Sequence, residues 1–255
     1  ILLAGLIAEG ETSVQEKSSS RDHTERMLKA FGAKIDTRDR TSIIVGKSIL
    51  KPIKINIPGD ISSAAFFIVG ALITSKSELV IKNVGMNPTR TGILEILSRM
   101  GARIEQMNNQ VINGEPWADL VIKSSKLTAT IIEKDLIPKL IDELPIIAIA
   151  ATQAQGTTIV RDAQELRVKE TDRISAMCSE LKKLNADITE MKDGFIINGP
   201  CQLKGNRCSS YGDHRMTMAL AIAGLVAEGE TVVENAECIE VSFPGFEEVL
   251  ERVIR

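Results

Sequence analysis

Aromatic side chains make up only 3% of this sequence, with one Trp and one Tyr, and there are two histidines. Base-stacking platforms need more aromatic surface than that. Positive charge is not in excess: the net charge is -3 and the isoelectric point is near 5.6. Neither nucleic acid nor an anionic membrane is therefore expected as the main partner. The four cysteines, Cys178, Cys201, Cys208 and Cys238, form no CxxC pair and have no histidine at ligand spacing. That argues against zinc, and no metal is expected. Scattered cysteines without a visible signal peptide point to a reducing, cytoplasmic compartment. No apolar run is long enough to span a bilayer. The GxGxxG, Walker-type GxxxxGK and GxSxG patterns are missing, so nucleotide folds and hydrolase elbows lose support. The chain opens at Ile1, in mid-pattern and without Met, so its true beginning is expected to lie outside the sequence.

What remains is an ordinary globular composition, 44% hydrophobic and 25% charged, long enough for one large or two medium domains. Within it the chain repeats itself. Ala-Gly-Leu-Ile-Ala-Glu-Gly-Glu-Thr at 4–12 returns as Ala-Gly-Leu-Val-Ala-Glu-Gly-Glu-Thr at 223–231. Weaker copies stand at 154–158 and 71–77. Gly156 to Gly229 is 73 residues and Gly10 to Gly156 is twice that, a period that fits duplicated supersecondary units. A strand is predicted after each copy, at 13–16, 79–83, 158–161 and 232–235. A helix then ends on Gly32, Gly101 or Asn185, residues suited to a left-handed cap. Second hairpin strands are predicted at 42–45, 111–113 and 195–198, while 18–20, 115–117 and 200–206 read as loops. Small apolar helices follow at 61–73, 143–152 and 214–226, preceded by Asp60, Asp142 and Asp213 as N-caps. Apolar nearly all round, these helices should be buried between sheets.

The densest chemistry lies at 167–173, Arg-Val-Lys-Glu-Thr-Asp-Arg. A strand precedes it, and Ile174, Met177, Leu181 and Leu184 trace one face of the helix that follows. Lys169 and Arg173 thus flank Glu170 at a helix start, where the backbone itself attracts anions. A solvated cap with local ion pairs fits this pattern, and so does an anion site with an acid or base beside it. Arg21, Arg215 and His214 also stand near helix starts, and a capping role fits His214 equally. If equivalent helices point the same way, one cleft collects these cations with the carboxylates of Asp142 and Glu170. That is a site for anionic substrates with proton-transfer groups among them. Cys178, next to Met177, reads as packing.

Six stretches carry a specific resemblance. They are Ser-Arg-Asp-His-Thr-Glu-Arg-Met at 20–27, Pro-Gly-Asp-Ile-Ser-Ser-Ala-Ala at 58–65 and Asn-Val-Gly-Met-Asn-Pro-Thr-Arg-Thr-Gly at 83–92. The others are Leu-Ile-Asp-Glu-Leu-Pro at 140–145, the 167–173 run and Tyr-Gly-Asp-His-Arg at 211–215. Nearly end to end, the chain resembles the 5-enolpyruvylshikimate-3-phosphate synthase family. The resemblance implies an α/β fold: repeated β-α-β-α-β-β units with pseudo-threefold symmetry, an inside-out α/β barrel in two domains. It implies transfer of the enolpyruvyl group from phosphoenolpyruvate to the 5-hydroxyl of shikimate 3-phosphate, with no metal or cofactor and a monomer when complete. By motif, Asp142 resembles the carboxylate that binds the reacting hydroxyl and acts as general base. Glu170 resembles the acid that exchanges a proton at the phosphoenolpyruvate methylene. Ser20, Arg21 and Lys169 resemble shikimate 3-phosphate contacts, and Arg173, His214 and Arg215 phosphoenolpyruvate contacts.

The sequence also departs from that family. Its N-terminal Lys-Ser…Arg segment, its Asn-Ala-Gly-Thr loop with an Arg, and its Ser-Ala-Gln stretch have no counterpart here. Where some members have Lys before Phe-Pro, this chain has Ser242 before Phe243 and Pro244. Residues 1–57 are therefore expected to be a remnant of the inserted domain. Residues 58–255 are expected to be most of the other domain, carrying Asp142 and Glu170. The chain alone is expected to be inactive. Two alternatives stand beside the enzyme: a silent fragment that binds an anion or a partner segment, and the sister transferase acting on UDP-N-acetylglucosamine.

Overall fold

A computed structural model describes residues 1–18 and 20–254; Ser19, within the loop predicted at 18–20, lies outside the described residues. The chain begins with α1 (Leu2–Ile7), β1 (Glu11–Gln15), α2 (His23–Ala30), β2 (Ile35–Arg38) and β3 (Thr41–Val45). The strands form an antiparallel sheet ordered β1-β3-β2. Leu28, Ala33 and Ile44 are buried between this sheet and its helices, with the half-buried Leu2, Leu6 and Ile35 packed against them.

A larger core starts at α3 (Ile61–Ile73) and continues through β4 (Glu78–Gly85), α4 (Gly92–Arg99), β5 (Arg103–Ile112) and β6 (Glu115–Lys123). Next come β7 (Ile131–Ile132), α5 (Ile137–Leu140), α6 (Leu144–Thr152), β8 (Gly156–Val160) and α7 (Arg173–Lys183). The chain closes with β9 (Asp187–Met191), β10 (Gly194–Gly199), β11 (Arg207–Ser209), α8 (His214–Gly224), β12 (Val232–Glu234) and α9 (Phe246–Val253). The sheets run β4-β6-β5, β7-β8-β10-β9 and β11-β12.

The repeat is visible in the backbone. At the equivalent position of all four copies, Gly10, Lys76, Gly156 and Gly229 take positive φ, 82, 61, 107 and 87°, and a strand follows. Only glycine does so without steric cost, which is why three of the four copies keep it. The outer helices end as predicted on left-handed Gly32, Gly101 and Asn185. A linking segment runs parallel to the first strand of the following unit, through bridges Gly59–Val84, Thr128–Gln155 and Lys204–Glu228. β7 on β8 and β11 on β12 extend two of these contacts.

The inner helices α3, α6 and α8 each pack on the other two. Their apolar residues leave no polar stripe: every residue of α6 is buried, and in α3 all of 61–72 except Ser63. Each fully buried Ile or Leu contributes about 1.5–3 kcal/mol of transfer free energy, so this triple contact dominates the core. At one end Ser62 of α3 bonds to Glu143 before α6, and Arg215 of α8 bonds to the Asp142 carbonyl. At the other end Gly70 of α3 faces Ile222 and Leu225. The three helices are therefore parallel, with β4 and β6, β10, and β12 packed against their outer sides.

Two expectations fail. The second strand predicted at 111–113 instead straddles a turn. Val111 and Ile112 end β5, Asn113 and Gly114 turn with φ of 53 and 84°, and the supposed loop 115–117 begins β6. Asn-Gly is the strongest short hairpin signal, and it outranks the apolar Val111-Ile112 pair. Asp142 is not a cap either. Residues Ile141–Glu143 form a 3-10 turn after α5, and α6 starts at Leu144 with no side-chain cap bond. Asp60 and Asp213 do cap, accepting from Ser62 N and from Arg215 N and Met216 N.

Candidate active site

Because the inner helices are parallel, their N-terminal ends meet at one end of the core, beside the start of α7. Asp142 is free of capping and stands at the centre. Its carboxylate accepts a hydrogen bond from Arg21 Nη2 at 2.6 Å. Arg173 Nη1 lies 3.7 Å away, Arg215 Nη2 3.8 Å and Lys169 Nζ 3.9 Å. Four cations from three segments, around Arg21, 167–173 and Arg215, thus surround one carboxylate. Burial raises the Asp142 pKa, but the Arg215 charge, the Arg21 hydrogen bond and the Lys169 charge outweigh it and hold the carboxyl below the usual range.

Arg173 opens α7 and is 1% exposed. Its Nε donates to Asp213 at 2.7 Å, and its Nη2 donates to Glu170 at 2.6 Å and to Asp213 at 3.3 Å. Its Nη1 is buried with no hydrogen-bond partner among the described residues. An unpaired buried donor costs about 1–3 kcal/mol, so this atom marks a place where an acceptor belongs. Asp213, fully buried, serves twice: it caps α8 and holds Arg173. Reading it only as a cap missed the second role, which joins residues 40 apart in sequence and has no local signal.

Of the predicted residues, Arg21, Asp142, Lys169, Glu170, Arg173 and Arg215 are brought together. His214 stands beside them at the start of α8; burial, then the Arg215 charge, lower its pKa, so its imidazole is neutral near pH 7. Ser20 faces elsewhere: its amide and hydroxyl both donate to Glu16. Two further side chains join the site from behind. Glu143, 3% exposed, has a raised pKa from burial, opposed by its Ser62 hydrogen bond and the Arg215 charge. Arg90 donates to Ser62 Oγ at 2.7 Å and to Asp60 at 2.8 Å. Both lie in the stretches quoted above, but no charge pattern marked them. Among the described residues no group of three or more His, Cys, Asp or Glu side chains could hold a metal ion. No helix among them is long and apolar enough to cross a membrane.

Parallel inner helices with sheets outside, meeting at a cation-rich end, define the enolpyruvyl transferase fold. The enolpyruvyl transferase NikO from Streptomyces tendae superposes with a TM-score of 0.77 over 99% of this chain and 57% of its own, at 20% identity. The family model for EPSP synthase (3-phosphoshikimate 1-carboxyvinyltransferase) matches residues 1–250, and the chain belongs to that family. EPSP synthase from Acinetobacter baumannii superposes with a TM-score of 0.94 at 45% identity, covering 99% of this chain and 58% of that one. The 3-phosphoshikimate 1-carboxyvinyltransferase of Desulforamulus reducens is 55% identical over 254 residues, covering 100% of this chain. The chain spans 59% of that relative's length.

Proposed function

We propose that the protein transfers the enolpyruvyl group of phosphoenolpyruvate to the 5-hydroxyl of shikimate 3-phosphate, releasing phosphate. The observation that carries this reading is Asp142 set among Arg21, Arg173, Arg215 and Lys169, with Glu170 joined through Arg173. Both substrates are polyanions, and the cations are pre-placed for them. Arg21 swings from Asp142 to the shikimate phosphate, and Lys169 holds the same substrate; Ser20 joins them only by leaving Glu16. Arg173 Nη1, Arg215 and His214 take phosphoenolpyruvate. Substrate anions then offset the cations' pull on Asp142 and raise its basicity.

Asp142 accepts the 5-hydroxyl proton as the oxygen bonds to the enol carbon, and Glu170 gives a proton to the methylene carbon. Loss of phosphate from this tetrahedral adduct, taking the proton held by Asp142, with a methyl proton returned to Glu170, restores the double bond and both carboxyl groups. Residues 1–57 belong to one domain and 58–255 to most of the other, with substrates held between them. The complete protein is a cytoplasmic monomer. A second reading concerns the chain by itself, since the family's N-terminal Lys and loop Arg segments have no counterpart in it: alone it binds anions without turnover.

The test uses the chain joined to the N-terminal part of a curated relative. Asp142→Ala and Glu170→Gln should each lower turnover on the order of 10²-fold or more. Near-normal turnover in either variant removes that residue from the acid–base pair.

A further inference from the structure

Glu143 is a buried carboxylate beside the site that this chemistry leaves unused. It follows Asp142 directly, yet its carboxylate reaches back to Ser62 at the start of α3. Ser62 donates its hydroxyl proton to the ionised carboxylate. Arg90 cannot accept, so its 2.7 Å contact makes Ser62 Oγ an acceptor there and leaves the hydroxyl proton free for Glu143. Asp60 locks the arrangement, accepting from both Arg90 and Ser62 N.

Glu143 in turn faces Arg215. Arg215 Nη1 lies 4.0 Å from Glu143 Oε1 and donates to the Asp142 carbonyl at 3.2 Å, while Nη2 lies 3.8 Å from the Asp142 carboxylate. The guanidinium therefore spans two neighbouring carboxylates, one on the cleft side and one on the buried side. A long side chain with many rotamers needs such fixed partners to hold one direction. When an anion draws Asp142 away or competes for Arg215, the contact on the buried side stays.

We infer that Glu143, braced by Ser62, is a positioning residue that aims the Arg215 guanidinium at the phosphoenolpyruvate anion. The inference rests on the role given to Arg215 above. A positioning role predicts changes at Arg215 itself and in anion affinity; a merely structural role predicts only a lower melting temperature.

The test follows the arginine side-chain NMR signals of the isotope-labelled 255-residue chain, with phosphoenolpyruvate binding measured by calorimetry. Glu143→Ala should shift the Arg215 Nε–H signal and weaken phosphoenolpyruvate about 10-fold, the lower end of what one charge-assisted contact carries. Ser62→Ala, which leaves the carboxylate but removes its brace, should shift the same signal and weaken binding less. Glu143→Gln, which still accepts from Ser62, should recover part of the loss. An Arg215 signal and an affinity that stay at wild-type values in a folded variant overturn the inference. If the alanine variant does not fold, Glu143→Gln and Ser62→Ala decide it. If the wild-type chain binds no phosphoenolpyruvate, the reading of Arg215 as a substrate contact fails. The Arg215 signal then still shows whether Glu143 sets its direction.

Discussion

Asp142 and Glu143 are adjacent carboxyl groups pushed in opposite directions by their surroundings. Asp142 sees four cations within 4 Å and stays ionised. Glu143 is buried deeply enough that solvation loss outweighs its Ser62, Arg215 and Arg90 contacts, and Asp142 beside it adds repulsion. A carboxyl whose folded pKa lies above its unfolded value, near 4.3, weakens the fold as pH rises through the folded value. Below the unfolded value both states are protonated and the penalty vanishes. Glu143→Gln should therefore melt higher than wild type at pH 7–8, with the difference shrinking as the pH falls towards 4. A difference that is constant or grows in acid would refute the assignment. The depressed Asp142 runs the other way: its contribution is full at neutral pH and is lost as pH falls through its folded value.

Among elements, the inner helix starts separate two kinds of cap. Asp60 is half exposed and caps α3 while pairing with Arg90. Asp213 is fully buried and carries both the α8 cap and the Arg173 ion pair. Asp60→Ala should cost about 1 kcal/mol, an ordinary cap loss. Asp213→Ala removes the cap and the buried partner of Arg173 Nε together and should cost about 3–5 kcal/mol. Urea denaturation distinguishes them, and equal costs would contradict the buried-pair reading. At the start of β10, an added Cβ on Gly194 would lie 1.9 Å from the Val160 carbonyl oxygen. Gly194→Ala should destabilise by about 1–3 kcal/mol or more by the same measurement.

The inner helices and the repeat were legible because apolar periodicity and left-handed glycines are local signals. The hairpin of β5 and β6 was not. β5 is exposed along most of its length, so it shows no alternation, and only Asn113-Gly114 betrayed it. The cation cluster was legible from charges at helix starts. Two details were not: whether an Asp before a helix caps it, and the Ser62–Glu143 bond, which joins residues 81 apart in sequence. Both depend on tertiary placement.

For the whole molecule, the site assembles from segments spread between Arg21 and Arg215, and ion pairs through Asp142 join them. On the proposed function, opening them to take two polyanions requires compensating contacts. The family's N-terminal Lys and loop Arg would each supply about 1.5–3 kcal/mol as charge-assisted bonds, one to two orders of magnitude in affinity apiece. Their segments have no counterpart in this sequence. On the proposed function, Asp142 and its cations therefore form a catalytic centre that works only with those contacts in place. Phosphate release from shikimate 3-phosphate and phosphoenolpyruvate tests it most directly, in host-enzyme-free preparations of the 255-residue chain alone and of the chain joined to a relative's N-terminal part. No release is predicted from the chain alone, and release dependent on Asp142 from the joined protein. Turnover by the chain alone, or no turnover by a folded joined protein, would contradict the account.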